Sequence, residues 1–274
     1  MRYGIDIPNF GPFGSARAVA DLAASAERAG WDGVFIWDHV VRREGDFPVV
    51  DPWVAITAAA AATSRVRLGP MVTPLPRRRP WNVAKAAVSI DEFSGGRFVL
   101  GVGTGTPRGP EFPAFGEETD ARRRGDMLDE GLAIVRAAWS GAPVRFAGAH
   151  YRVDGVRFLP RPARPAGIPI WSATEVARGR SVRRAASLDG IVLSGIEPAG
   201  LPDLLAEIGR HRTGTDGFEV AAISQREDAA EWRQAGATWW LRELAWEWPL
   251  PRVAELVAAG PPVRRSAGHD HAAG

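Results

Sequence analysis

Short runs of β-branched, aliphatic and aromatic residues alternate along this chain with stretches whose apolar positions recur at helical spacing. Residues 3–8 form the first apolar run. The first helical pattern covers 16–29, with Val19, Leu22, Ala23 and Ala26 on one face, Ser15 as cap and Gly30 as stop. Further strands are expected at 33–37, 66–73, 97–102, 168–172, 191–194, 218–224 and 238–242. Helices are expected at 53–63, opened by Asp51-Pro52, and at 80–93, ended by Gly95-Gly96. More follow at 122–139, 175–186, 201–210, 227–235 and 252–259. A loop at 103–118, the helix at 122–139 and a hairpin at 144–159 separate the fourth strand from the fifth.

Eight strands each followed by a helix predict a parallel sheet. Eight such units in 274 residues fit an α/β fold, a closed (β/α)8 TIM barrel with an insertion between strands 4 and 5. An open doubly wound sheet would want a phosphate-cradling turn after the first strand, and Pro12 removes a donor that the turn at 9–14 would need. One domain is expected over 1–262, with a flexible tail at 263–274.

Composition narrows the chemistry. There is no cysteine, so disulfides, thiolate metal sites and a cysteine nucleophile are excluded. The net charge is +2, and Lys85 is the only lysine among 34 basic residues, a bias expected of a GC-rich genome. The run Arg77-Arg78-Arg79 is too short for a nucleic-acid footprint. It reads as a solvated loop ahead of phosphate binding at the helix start. Apolar stretches fall well short of the ~20 residues that a membrane span needs. The N-terminus reads as a strand, so a cytoplasmic protein is expected.

A barrel carries its chemistry at the C-terminal ends of its strands. Those ends hold Asn9, Asp38-His39, 71–73, 103–106, 173–174, Ser194, Gln225 and Arg242-Glu243. The mouth is aromatic and glycine-rich, which suits a flat conjugated ligand. His39 is the sharpest candidate, because imidazole can exchange a proton near neutral pH. A loop-holding histidine is the equally weighted alternative. Gly103, Thr104, Gly105 and Thr106 would let a ring or a phosphate approach the backbone. No G-x-S-x-G turn supports a serine triad, and no His spacing in the body of the chain supports a zinc hydrolase.

Several ordered segments resemble the bacterial luciferase-like monooxygenases, which are flavin- or deazaflavin (F420)-dependent oxidoreductases. They are 29–39, 63–74, Arg79-Pro80-Trp81 to Lys85, 91–97, 100–105, 148–151 and 168–171. The resemblance runs to about Pro262. It implies a TIM barrel with the cofactor ring over the strand ends and a non-prolyl cis peptide at the third strand's end, here Met71–Val72. It implies His39 as the catalytic group, with Asp38, Met71, Val72, Thr73 and 103–106 around the cofactor. The cofactor phosphate is expected at Ala173, Thr174 and Glu175, where many relatives carry a Gly-Gly pair. Asn9, Trp37 and Trp53 are expected pocket walls. F420 is preferred over FMN because the Asp-His pair resembles the F420-using branch. A homodimer acting on a small organic molecule is the implied assembly, with no nucleic-acid or membrane partner. A non-catalytic flavin-binding barrel, serving as carrier or structural dimer, is the alternative.

Overall fold

The apolar runs form one parallel sheet rolled around a buried axis. The computed structural model describes residues 1–42, 45–106, 109–214 and 216–262, so the expected tail with His269 and His271 lies outside the described residues. The strands are β1 (Arg2–Ile7), β2 (Gly33–Ile36), β3 (Arg67–Pro70), β4 (Thr73–Pro74), β5 (Leu100–Gly103), β6 (Pro143–Ala147), β7 (Arg152–Arg157), β8 (Ile170–Thr174), β9 (Gly190–Leu193), β10 (Glu219–Ser224) and β11 (Trp239–Glu243). The helices are α1 (Ala16–Ala29), α2 (Pro52–Ala61), α3 (Pro80–Phe93), α4 (Ala121–Trp139), α5 (Arg180–Ala186), α6 (Leu201–Gly209), α7 (Ala229–Ala235) and α8 (Leu250–Ala258).

The sheet order is β3-β2-β1-β11-β10-β9-β8-β5-β4. A parallel bridge from Leu68 to Phe98 brings the two ends of that order together. β3 and β4 are therefore two halves of one barrel position, split at a cis peptide bond between Met71 and Val72. The result is the expected eight-position barrel. Helix α4 and the antiparallel β6–β7 hairpin lie between β5 and β8.

Side chains alternate across each strand, and the two faces fill two separate cores. Phe35, Met71, Val99, Trp171, Val192, Ala221, Trp239 and Leu241 pack as one cluster inside the barrel. Ile5, Ile7, Val34, Ile36, Leu68, Leu100 and Val102 pack outward against the helices. Local signals set several helix ends. The Asp51 carboxylate accepts the N–H groups of Trp53 and Val54, and Asp120 caps α4 through the N–H of Arg123. Gly30 ends α1 in the left-handed region, at φ 87°.

One helix starts later than the sequence pattern predicts. The helix expected from 175 begins only at Arg180. The Thr174 hydroxyl instead bonds the Val176 carbonyl and the Ser181 hydroxyl, and Gly179 turns the chain at φ 107°. This is the competition between a short hydroxyl side chain and helical backbone pairing. Among the described residues, no helix is long and apolar enough to cross a membrane.

Candidate active site

The alternation that fills the barrel interior also decides what lines its mouth. Trp37 lies two residues beyond Phe35, Ala173 two beyond Trp171, and Glu243 two beyond Leu241. A Cβ on Gly4 would meet Leu241 and Phe35, so β1 turns Gly4 and Asp6 inward. On β5 the inward positions above Val99 are Gly101 and Gly103.

Asp38, just past β2, is buried and organises one side of the mouth. It accepts the Thr73 hydroxyl, Arg77 Nη2 at 2.8 Å, and Arg78 Nε and Nη2 both at 2.9 Å. Arg77 also donates to the Asp38 carbonyl at 2.8 Å and lies 3.1 Å from Glu111. The solvated-loop reading of Arg77-Arg78 is thus corrected. A buried carboxylate needs matching charge and hydrogen bonds, and the two guanidiniums turn inward to supply them. Arg78 also lies over the Trp53 ring, 5.6 Å from its centroid. Asp38 and Thr73, expected beside the cofactor, bond to each other and to this cluster.

His39 is clamped at backbone and ring. Its N–H donates to Asn9 Oδ1 at 3.1 Å, and Asn9 Nδ2 donates to the carbonyls of His39 and Val50, each at 2.8 Å. The fully buried Asn9 therefore ties two loops to β1. The His39 ring places Nδ1 2.9 Å from Glu111 Oε2 and Nε2 3.3 Å from Arg42 Nη1. Because arginine only donates, the network assigns the ring proton to Nδ1 and leaves Nε2 as the acceptor. Burial acts to raise the Glu111 carboxyl. The His39 hydrogen bond and charge, the Val40 N–H and the Arg77 charge outweigh it, and Glu111 is held below its ordinary value. Glu111 was not legible in sequence, since it lies inside the irregular loop at 103–118.

A second pair of carboxylates sits on the adjoining wall. Asp6 and Glu243 are register partners on the parallel strands β1 and β11. Asp6 is fully buried, receives the Trp37 indole N–H at 2.8 Å on Oδ2, and has no partner on Oδ1 among the described residues. Glu243 is half-buried and receives Gln225 Nε2 at 2.8 Å. Burial, then the Glu243 charge, push the Asp6 carboxyl well up against the Trp37 hydrogen bond. Burial likewise raises Glu243. Asp6 lies within the apolar run at 3–8, and the Gly4/Asp6 versus Ile5/Ile7 alternation puts it on the face opposite the isoleucines.

The third wall is flat. A Cβ on Gly103 would meet Val72 Cγ2 at 2.8 Å and Ala173 Cβ at 3.6 Å, and one on Gly101 would fall on the Pro70 carbonyl oxygen. Glycine here lets the bulge at Met71–Val72 press against β5. Gly105 adopts φ 73° beside Phe112 and Pro74. Thr104 is half-buried and Thr106 exposed. Ala173 faces the mouth, Thr174 turns outward to α5, and Glu175 is exposed. Trp53 packs on Phe98 in the outer core shell, whereas Trp37 stands at the mouth against Phe10 and His39.

The profile of the luciferase-like monooxygenases matches residues 2–255. The chain belongs to the luciferase-like monooxygenase family. An F420-dependent glucose-6-phosphate dehydrogenase from Nakamurella multipartita is 37% identical over 74% of this chain. This chain spans only 58% of that protein's length. An uncharacterised Mycobacterium tuberculosis protein is 30% identical over 79% of this chain and 85% of its own. Among solved structures, an F420-dependent secondary alcohol dehydrogenase in complex with an F420-acetone adduct superposes with TM-score 0.78 at 17% identity, covering 94% of this chain and 98% of its own. The monooxygenase RslO1 from Streptomyces bottropensis superposes with TM-score 0.68 at 24% identity, covering 86% and 75%. These likenesses show the fold.

Proposed function

We propose that this protein is an oxidoreductase that works with reduced F420, or with FMN as the second choice, on a small organic substrate. The observation that carries the reading is His39, held between Glu111 and Arg42 just past β2 and next in sequence to Asp38, whose carboxylate bonds Thr73 just past the bulge at Met71–Val72. The residues present fit a planar cofactor: Gly103 and Ala173 present no bulky side chain to the mouth, and Val72 stands against them. Val72, Gly103, Thr104, Gly105 and Ala173 would hold the ring, and the segment 173–175 its phosphate. Bound there, the reduced cofactor supplies a hydride, or in the flavin case reacts with oxygen. The relatives named for F420 support the first choice.

The chain's own residues manage the proton. His39 releases or takes one at Nε2, and the ionised Glu111 at Nδ1 stabilises the imidazolium that forms. Arg42 leaves Nε2 when that atom is protonated, because two cations cannot share the bond. Trp37 and Phe10 shield the imidazole from water. A cytoplasmic homodimer belongs to the same reading.

The test is a fluorescence titration of the purified full chain with F420 and with FMN. Tight binding of F420 alone supports hydride transfer. Tight binding of FMN alone moves the reading to flavin-dependent monooxygenation. Binding of neither below roughly millimolar, about 4 kcal/mol, overturns it in favour of a non-catalytic barrel.

A further inference from the structure

Asp6 and Glu243 are not used by the proton chemistry of His39, yet they sit at the same mouth. They are brought together by strand register, on one inward face of β1 and β11. The groups that face them are known from each neighbouring strand. Just past β2, Trp37 offers its indole N–H to Asp6, and just past β10, Gln225 offers its amide to Glu243. Both are neutral donors. Arg242, the nearest arginine in sequence, points to the other face, 3.7 Å from Glu227. Across the Phe10 ring, Arg42 is engaged with His39. Among the described residues, Asp6 Oδ1 is buried without a donor.

Two carboxylates in this position cannot both carry charge at low cost. Burial favours the protonated carboxyl at both, and the Glu243 charge adds to it at Asp6, until a cation arrives. The aromatic rings of Trp37, Phe10, Phe47 and Trp246 pack beside one another at this side of the mouth. Buried carboxylates met only by neutral donors suit a positively charged nitrogen. A phosphate would meet repulsion there instead. We propose that Asp6 and Glu243 form a cation subsite, so that the substrate carries a basic nitrogen rather than a phosphorylated sugar. The proposal rests on the oxidoreductase reading, in that the mouth is where the substrate lies. Glu243, the half-buried member, makes the contact, and the fully buried Asp6 lies behind it. Binding of an ammonium group expels a carboxyl proton to solvent, and the carboxylate left behind pairs with the cation.

The experiment is isothermal titration of the full chain with three probes of one shape: benzylammonium, benzyl alcohol and phenyl phosphate. Benzylammonium is expected to bind about tenfold tighter than benzyl alcohol, with phenyl phosphate weakest. Its affinity rises with pH, and heats in two buffers of different ionisation enthalpy show a proton released. Glu243→Gln removes both the preference and the proton release while leaving the circular dichroism spectrum unchanged. Asp6→Asn is the second variant, and Glu243→Gln carries the test where that buried change impairs folding. Equal affinity for the charged and neutral probes, no binding by any of them, or a preference that survives Glu243→Gln overturns the subsite. The F420 and FMN titrations are run on the same samples. Cofactor binding without amine preference sinks the subsite alone. Amine preference without cofactor binding sinks the oxidoreductase reading and leaves the subsite standing.

Discussion

Asp38 and His39 are adjacent in sequence but face different partners. Asp38 pairs with Arg77 and Arg78, while the His39 ring meets Glu111. The distinction separates two kinds of failure on mutation. Asp38→Ala leaves the Arg78 guanidinium without its counter-charge and Arg77 with Glu111 alone, and it is expected to lower stability by about 3–5 kcal/mol, read by urea unfolding. His39→Ala is expected to keep the fold and the cofactor affinity but to lower kcat by roughly 10²–10⁴. Full turnover in that variant would remove His39 from the mechanism. The adjacency was legible in sequence, whereas the division of labour was not. It depends on Arg77, Arg78 and Glu111 arriving from 39 to 72 residues away through the closure of the barrel.

At the level of elements, backbone contacts set two narrow requirements. The bulge between β3 and β4 lies against β5, where a Cβ on Gly101 would strike the Pro70 carbonyl oxygen. Backbone cannot yield as a flexible side chain can. Gly101→Ala is therefore expected to destabilise by about 1–3 kcal/mol or more, and to weaken cofactor binding further than its stability loss explains. A thermal scan paired with the F420 titration checks both. The second requirement is the turn into β3. Glu27 on α1 accepts the backbone N–H groups of Ser64, Arg65 and Val66. Burial would raise this carboxyl, but those bonds hold it at about 2. Glu27→Gln is expected to cost about 1 kcal/mol near neutral pH, discounted for partial exposure. Because the folded pKa is depressed, the penalty is full above 4.5 and shrinks as pH falls toward about 2. Urea midpoints measured across that window report it.

For the whole molecule, the carboxylates divide into two groups with opposite pH slopes. Glu27 and Glu111 are held below their ordinary values, whereas Asp6 and Glu243 are raised. A raised carboxyl keeps in the folded state a proton that the unfolded chain releases. Its stabilising contribution is full below the unfolded value, 3.8 for Asp6 and 4.5 for Glu243, and is lost as pH rises through the folded pKa. Asp6→Asn should thus flatten the decline of Tm with rising pH above about 4. A variant whose Tm profile matches the parent's over that range would show that Asp6 titrates as in the unfolded chain.

The sequence by itself determined the barrel. The alternation of apolar strands with amphipathic helices, the caps at Asp51 and Gly30, and the placement of Asp38-His39 at a strand end follow from local periodicity and backbone preference. The expected cis bond at Met71–Val72 came from the resemblance. What the tertiary structure decided is which side chains meet. Periodicity says that Asp6 and Glu243 each face one side of a strand, but only closure of β1 onto β11 makes them register partners. It says nothing of Glu111, whose loop has no repeat to read. The late start of α5 belongs here too, since the Thr174 hydroxyl chose Ser181 and the Val176 carbonyl over the helical pairing that its local sequence allowed. Local pattern fixes the direction of a side chain, and long-range packing supplies its partner and hence its chemistry.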